Sequence, residues 1–178
     1  MKSERRVPRV EYQKILYITD LSEAGRFAFP YAASIANRYN AELTVFHVVE
    51  TGELEKYLVS YMSEDLWSEI KTRDLQEARD ILIKRKRDDA QIKHAVDKFC
   101  KEVLCEQEEN PYVTYDVAVE TGDPVEQILR KAHEGHYDLV VIGKHGHGAL
   151  RGVLMGDTAR HVIRHCKVPV MVVQLPDG

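Results

Sequence analysis

Short apolar runs alternate with helix-length segments along this chain, and that alternation limits the possible folds more than any other feature of the sequence. The first run, residues 14–19, is almost continuously apolar, as is typical of a strand that is covered on both faces. Helices between such strands give right-handed crossovers and a parallel sheet. The sequence therefore predicts an α/β fold, an open five-stranded parallel sheet with helices on both faces, with strands at residues 14–19, 42–49, 112–119, 138–142 and 168–173.

Several residues mark where the intervening helices begin and end. Ser22 has the side chain of an N-cap, Asn40 that of a helix stop, and Pro124 suits the first position of a later helix. Residues 54–107 lack proline and are rich in Glu, Lys, Arg, Leu and Ala, which predicts a long helical insert after the second strand, formed by one helix or two. The insert is longer than a crossover needs, and it could serve as a lid or as a partner surface.

Composition restricts the class of protein. A length of 178 residues predicts a single domain over residues 1–178, and a net charge of −4 gives no general electrostatic reason to bind nucleic acid or an acidic membrane. No segment approaches the roughly 20 apolar residues that a bilayer span needs. Three cysteines without CxxC spacing argue against a disulfide framework and a zinc cluster. We expect a soluble, cytoplasmic protein whose partners include neither nucleic acid nor a membrane.

Three glycines lie between the fourth predicted strand and the helix that follows it. Gly143, Gly146 and Gly156 have the spacing Gly-x2-Gly-x9-Gly. Glycine lets the backbone approach a ligand closely, and a helix start offers unpaired N–H groups to an anion. Because ligands of open parallel sheets bind beyond the carboxyl ends of the strands where strand order reverses, we expect this loop to face Thr19 and Asp20 across a phosphate site. Capping of the following helix is the alternative role for Thr19 and Asp20.

Four segments, taken in order, resemble the universal stress protein family. They are residues 14–23, residues 41–48, the Gly-x-Pro turn at residues 122–124, and residues 138–146 with Gly156 and the closing run 166–173. The resemblance covers essentially the whole chain, although the long middle segment matches only in being helical. It implies a Rossmann-like fold of the adenine nucleotide alpha hydrolase type.

The resemblance also implies an adenine nucleotide as ligand, ATP or AMP, and a role for each matching position. Thr19 and Val48 would line the adenine end, Ile142 would contribute backbone there, and Asp20 would face the ribose or a phosphate-bound metal ion. The remaining matching positions would surround the phosphates; these are Gly143, His145, Gly146, Gly156, Asp157 and Thr158.

Asp157 departs from the family pattern, in which adenine-nucleotide binders carry Ser or Thr at this position. A hydroxyl can donate a hydrogen bond to phosphate, whereas a carboxylate can only accept one. At about 4 Å from a phosphate charge, an unscreened carboxylate costs on the order of 4 kcal/mol at an effective dielectric of about 20. Mg²⁺ or Mn²⁺ held between Asp157, Asp20 and the phosphates would reverse the sign of this effect. Alternatively, Asp157 could cap its own helix and occupy the N–H groups that a phosphate would take.

Three functions follow from these observations. The leading hypothesis is a regulatory or stress-response protein that binds an adenine nucleotide, with metal assistance because of Asp157. The second is a nucleotide-free dimeric scaffold of the same fold, a homodimer that pairs through the apolar strand at residues 168–173. The third is a slow ATPase. No nucleophile elbow, metalloprotease motif, kinase signature or P-loop lysine is present in the sequence, so we expect slow hydrolysis at most.

Two histidine pairs have simpler interpretations than metal binding. His145 and His147 lie in the glycine loop and are expected to be solvated, or to donate to phosphate when charged. His161 and His165 are four residues apart and share one face of a predicted helix. Since the sequence offers no third ligand, we interpret them as a helix-surface pair.

Overall fold

The computed structural model describes residues 10–50, 75–106, 113–146 and 155–176, with the backbone alone for residues 75–89. Strands and helices alternate through these ranges. In chain order the elements are β1 (Lys14–Ile18), α1 (Glu23–Tyr39), β2 (Glu42–Glu50), α2 (Leu75–Cys105), β3 (Tyr115–Gly122), α3 (Pro124–Glu134), β4 (Leu139–Gly143), α4 (Asp157–His165) and β5 (Val170–Val173).

The strands form one parallel sheet in the order β3-β2-β1-β4-β5. The predicted α/β fold with an open five-stranded parallel sheet is therefore confirmed. β1 lies at the centre, where Ile18 pairs with Phe46 of β2 on one side and with Ile142 of β4 on the other. Because the chain moves outward from β1 to β3 and then crosses to β4, the strand order reverses between β1 and β4.

The two faces of the sheet bury separate apolar cores. On one face, α1 and α2 cover side chains such as Tyr17 and Val141, and Phe29 of α1 is completely buried there. On the other face, α3 and α4 cover Ile142 and its neighbours through Ile128 and Val162 among others. Residues that alternate along β1 and β4 thus enter opposite cores, which explains why these strands are apolar at nearly every position.

The predicted helix ends of α1 are confirmed in detail. Ser22 is the N-cap, and its side chain accepts a hydrogen bond from the Gly25 N–H at 3.2 Å. Asn40 is the C-cap in the left-handed conformation, with φ of 50°. At the start of α3, Pro124 occupies the first turn and Asp123 caps it. Short polar side chains with local hydrogen bonds therefore fix where the first and third helices begin.

The third strand begins and ends about three residues later than predicted, because it spans Tyr115–Gly122 and was expected at residues 112–119. The sequence predicts a turn at residues 122–124, but pairing with β2 continues through Thr121 to Gly122, opposite Val49 and Glu50. Main-chain pairing with a long neighbour therefore extends β3 beyond its apolar residues. The insert predicted at residues 54–107 is helical over Leu75–Cys105, where it packs on α1 and β3. Its residues 54–74 and 107 lie outside the described part of the chain.

Candidate functional site

A cleft of about 620 Å³ opens beyond the carboxyl ends of β1 and β4, where the strand order reverses. All ten residues predicted for the site from the sequence line this cleft, and their roles towards a ligand remain predictions: Thr19, Asp20, Val48, Ile142, Gly143, His145, Gly146, Gly156, Asp157 and Thr158. The lining also includes residues that were not predicted for the site: Ile18, Gly25, His47, Val49, Glu50, Pro124, Ile128, Lys144 and Ala159.

Thr19 at the end of β1 makes hydrogen bonds through both its main chain and its side chain. Its N–H donates to the Phe46 carbonyl at 3.0 Å, and its hydroxyl accepts from the Leu21 N–H at 3.0 Å. Thr19 is only 3% exposed, whereas Asp20 is exposed and accepts the Ser22 N–H through Oδ1 at 3.0 Å. Leu21 takes a φ of 63°, which is uncommon for a residue with a side chain. This tight bend directs the chain from β1 into α1 and leaves the Asp20 carboxylate at the cleft.

The side chain of Tyr17 on β1 holds the first turn of α1 against the sheet. Its buried hydroxyl donates to the Gly25 carbonyl at 2.7 Å, and burial raises the pKa of Tyr17 well above its usual range, so the donor keeps its proton. A Cβ atom on Gly25 would lie 2.8 Å from the Thr19 hydroxyl. Glycine at position 25 therefore lets the helix start pack directly on the end of β1.

Main-chain hydrogen bonds hold both ends of the glycine loop near the end of β4. The Lys144 N–H donates to the Val173 carbonyl at 2.8 Å, and the Lys144 carbonyl accepts from the Gly156 N–H at 2.9 Å. At Gly143, a Cβ atom would lie 3.0 Å from backbone atoms of Ala24, so this position approaches α1 closely. The last glycine of the motif is thereby brought beside the second, because a Cβ atom on Gly156 would lie 3.7 Å from the Gly146 nitrogen. Residues 147–154 between them lie outside the described part of the chain.

Gly146 lies against the carboxylate of Asp20. A Cβ atom on Gly146 would be 2.4 Å from Asp20 Oδ2, much closer than real Cβ contacts. Any side chain at position 146 would therefore displace the Asp20 carboxylate. The second glycine of the motif and the aspartate at the end of β1 form one junction across the cleft.

The start of α4 differs from one of the sequence interpretations. Asp157 was considered as a cap of its own helix, and this is wrong: Gly156 is the N-cap, and within the described residues no side chain caps the first turn. Asp157 is the first residue of the helix, and its Oδ1 accepts from Arg160 Nη2 at 2.6 Å, with the Asp157 side chain 83% exposed. The first main-chain N–H groups of α4 have no intrahelical acceptor, and they lie at the cleft.

His47 is a lining residue that sequence reasoning missed. Its Nδ1 lies 2.8 Å from the Thr19 carbonyl oxygen, and since a carbonyl can only accept, Nδ1 carries the proton. The bond ties the end of β2 to the end of β1 and leaves Nε2 as an acceptor. A polar residue near the carboxyl end of the predicted second strand was the available signal.

The described residues contain no group of three or more His, Cys, Asp and Glu side chains placed to hold a metal ion. A metal ion at this cleft would therefore need ligands from a bound molecule or from water in addition to carboxylates. None of the helices in the described residues is sufficiently long and apolar to cross a membrane.

These features define a doubly wound α/β protein with a ligand-sized cleft at its switch point. The chain belongs to the universal stress protein family, whose profile matches residues 11–174. Universal stress protein MJ0577 of Methanocaldococcus jannaschii is 26% identical over 175 residues, which cover 93% of this chain and 96% of that protein. A putative universal stress protein of Staphylococcus aureus strain USA300 is 26% identical over 170 residues, covering 93% of this chain and 86% of that protein.

Solved structures of this family share the fold. The structure of MJ0577 superposes with a TM-score of 0.67 at 23% identity, covering 95% of this chain and 100% of that chain. UspA from Lactobacillus plantarum gives a TM-score of 0.58 at 25% identity, with 93% and 99% covered. A universal stress protein in complex with cAMP gives 0.54 at 21% identity, with 93% and 98% covered.

Replacing Tyr17 by Phe should lower the free energy of unfolding by about 1 kcal/mol, because one buried hydrogen bond is lost while the Gly25 carbonyl remains an acceptor within α1. Tyr115→Phe is the matched control, since that hydroxyl bonds a partly exposed Asp97 carboxylate that also pairs with Lys101. We expect the control to cost less than Tyr17→Phe. Urea unfolding of both variants measures the difference, and an equal or smaller effect of Tyr17→Phe would contradict the anchoring role.

Proposed function

We propose that this protein binds an adenine nucleotide in the cleft between β1 and β4 and acts as a regulatory, stress-responsive module. The observation that carries the proposal is the uncapped start of α4, which lies beside Gly143, Gly146 and Gly156 at the cleft. Unpaired N–H groups at a helix start suit a phosphate group, and neighbouring glycines let the phosphate approach the main chain closely. The cleft volume of about 620 Å³ lies within the range usual for small-molecule sites.

The phosphates in this proposal lie at the α4 end of the cleft, around His145, Asp157 and Thr158. The charge of Asp157 counts against them, but its ion pair with Arg160 and its exposure to water both weaken the repulsion. The Thr158 hydroxyl, one residue later, is a donor of the kind that the family motif otherwise supplies. Metal-free binding is therefore weakened by Asp157 rather than abolished.

The adenine in this proposal occupies the opposite end, near Thr19, Val48 and the backbone of Ile142. Val49, which follows Val48 on β2 and is partly exposed, adds apolar surface to the lining. Nε2 of His47 is available there as an acceptor, because Nδ1 donates to Thr19. A base that presents both a ring face and an amino group suits this combination of apolar and accepting groups.

Asp20 is the proposed metal ligand, together with Asp157 and the phosphate oxygens. Oxygen ligands of this kind suit Mg²⁺ or Mn²⁺, which retain waters and bind through one or two carboxylates plus phosphate. Bound Mg²⁺ would supply positive charge between the carboxylates and the phosphates. The complex of a universal stress protein with cAMP supports a nucleotide with few phosphate charges as one member of the ligand class, beside ATP and AMP.

Isothermal calorimetry with ATP and with AMP should show binding, and Mg²⁺ should strengthen ATP binding by about tenfold, an effect of roughly 1.4 kcal/mol. Asp20→Asn should abolish the Mg²⁺ effect because the carboxylate at the cleft is lost. Asp116→Asn, the same change at an exposed site on β3 remote from the cleft, should leave it intact. Absence of binding to both nucleotides up to millimolar concentration, with and without Mg²⁺, would refute the proposal.

Asp157→Ser should strengthen metal-free ATP binding by about fivefold to tenfold, as expected for removing one exposed charge close to phosphate. Asp157→Asn is the matched control, because it removes the charge without adding a hydroxyl. If charge dominates, both variants gain equally; if hydroxyl donation dominates, the serine variant gains more. Unchanged affinity in both variants would contradict the electrostatic account.

A nucleotide-free dimeric scaffold is the second candidate, favoured by the position of β5 at the edge of the sheet. Its residues Val170, Met171 and Val172 are only partly buried within the chain. An edge strand of this kind presents unpaired main-chain groups that a second copy can pair.

Light scattering should separate the two candidates. A scaffold predicts a dimer whose mass and stability do not respond to ATP or AMP, and which Val172→Lys on the edge strand disrupts. A nucleotide-binding module predicts a ligand-dependent rise in thermal stability whatever its oligomeric state. A monomer at every concentration tested would refute the scaffold.

A further inference from the structure

Glu50 brings a carboxylate to the cleft at the end opposite the glycine loop. It is the last residue of β2, it lines the cleft, and it is exposed. Because the strand order is β2-β1-β4, two strand spacings, about 10 Å in all, separate the tip of β2 from the tip of β4. The proposed phosphate site lies at the α4 end, so Glu50 lies at the end of the cleft where the base would bind.

Alternation along β2 places Glu50 on the same side of the sheet as Val48. Val48 packs against the apolar core that α3 and α4 cover, and residues two apart on a strand face the same way. Pro124 lies two residues beyond Gly122, which pairs with Glu50, and it also lines the cleft. A flat base held against Val48 would therefore present its edge to the Glu50 carboxylate.

The carboxylate of Glu50 is available to a ligand, unlike that of a second glutamate nearby. Glu120 on β3 pairs in register with Val48, but Arg130 and Lys131 both form ion pairs with it. Within the part of the chain that the structure describes, Glu50 takes part in no ion pair. An ionised carboxylate offers acceptors only, so the group that Glu50 can bind is a hydrogen-bond donor.

We infer that Glu50 makes the cleft selective for 6-aminopurines by accepting a hydrogen bond from the 6-amino group of adenine. This inference rests on the proposed nucleotide function and names the side chain that sets its base specificity. Carboxylates accept from the amino groups of bases in the same way in nucleic-acid recognition. Hypoxanthine and guanine carry a carbonyl oxygen at position 6, which can only accept, so it would face the Glu50 carboxylate without a proton between them.

Calorimetry with AMP, IMP and purine riboside 5′-monophosphate tests the selectivity, because position 6 of the purine carries an amino group, an oxygen or a hydrogen in the three ligands. Wild-type protein should bind AMP about tenfold more tightly than IMP, with the unsubstituted purine in between. Glu50→Gln should reduce the ratio of the AMP and IMP affinities to about twofold or less. The amide of glutamine can accept from the amino group and can also donate to the oxygen.

Glu42→Gln is the matched control, because Glu42 is an exposed glutamate at the amino end of the same strand and lies outside the cleft lining. This variant should keep the wild-type ratio. Equal affinity of wild-type protein for AMP and IMP, or a preference for AMP that survives in Glu50→Gln, would overturn the inference and leave nucleotide binding in place. Absence of binding to all three ligands and to ATP at millimolar concentration would refute the proposed function together with the inference.

Discussion

Pairing between β1 and β4 is the constraint on which the rest of the structure depends. The two strands are separated by more than a hundred residues in sequence, yet Ile15–Ile18 pair in register with Leu139–Ile142. Asp138 secures the amino end of this pairing, because its Oδ2 accepts the N–H groups of Gln13 and Lys14 at 2.7 and 2.9 Å. At the carboxyl end, the same register brings Asp20 to Gly146 and forms the cleft.

Two cationic side chains beside the cleft, Lys144 and Arg160, have different kinds of partner. Lys144 directs its ammonium group to Gln174 at 2.9 Å, and Arg160 pairs with Asp157, so both cations have partners beside the cleft. Because Gln174 is neutral, the charge of Lys144 remains at the cleft and adds to the main-chain N–H groups at the start of α4. The proposed phosphate site therefore combines main-chain N–H groups with a nearby cation, and both offset part of the charge of Asp157.

Much of the fold could be predicted because local sequence and tertiary context agree. Apolar runs identified the strands, and Ser22 and Asn40 identified the ends of α1 since their capping is local. The end of β3 was misplaced because Thr121 and Gly122 extend the strand only through pairing with β2. Residues predicted for the site do line one cleft, since the rule for parallel sheets depends on strand order alone.

Contacts between distant elements were beyond sequence reasoning. His47 enters the lining because it hydrogen-bonds Thr19, and Gly25 because it packs on the same residue. The polar residue at position 47 is visible in the sequence, but the sequence does not show that either residue contacts Thr19. The misplaced cap at Asp157 has a different cause: Gly156 and Asp157 are both acceptable N-caps, and the bond from Gly156 N–H to Lys144 selects the glycine.

In the proposed complex, an adenine nucleotide binds at this cleft with its phosphates at the start of α4. Backbone amide chemical shifts recorded by nuclear magnetic resonance during titration with AMP and ATP test it most directly. The largest changes should fall on residues 156–159, on Thr19 and Asp20, and on Val48. Changes centred elsewhere, or no changes at millimolar nucleotide, would contradict it.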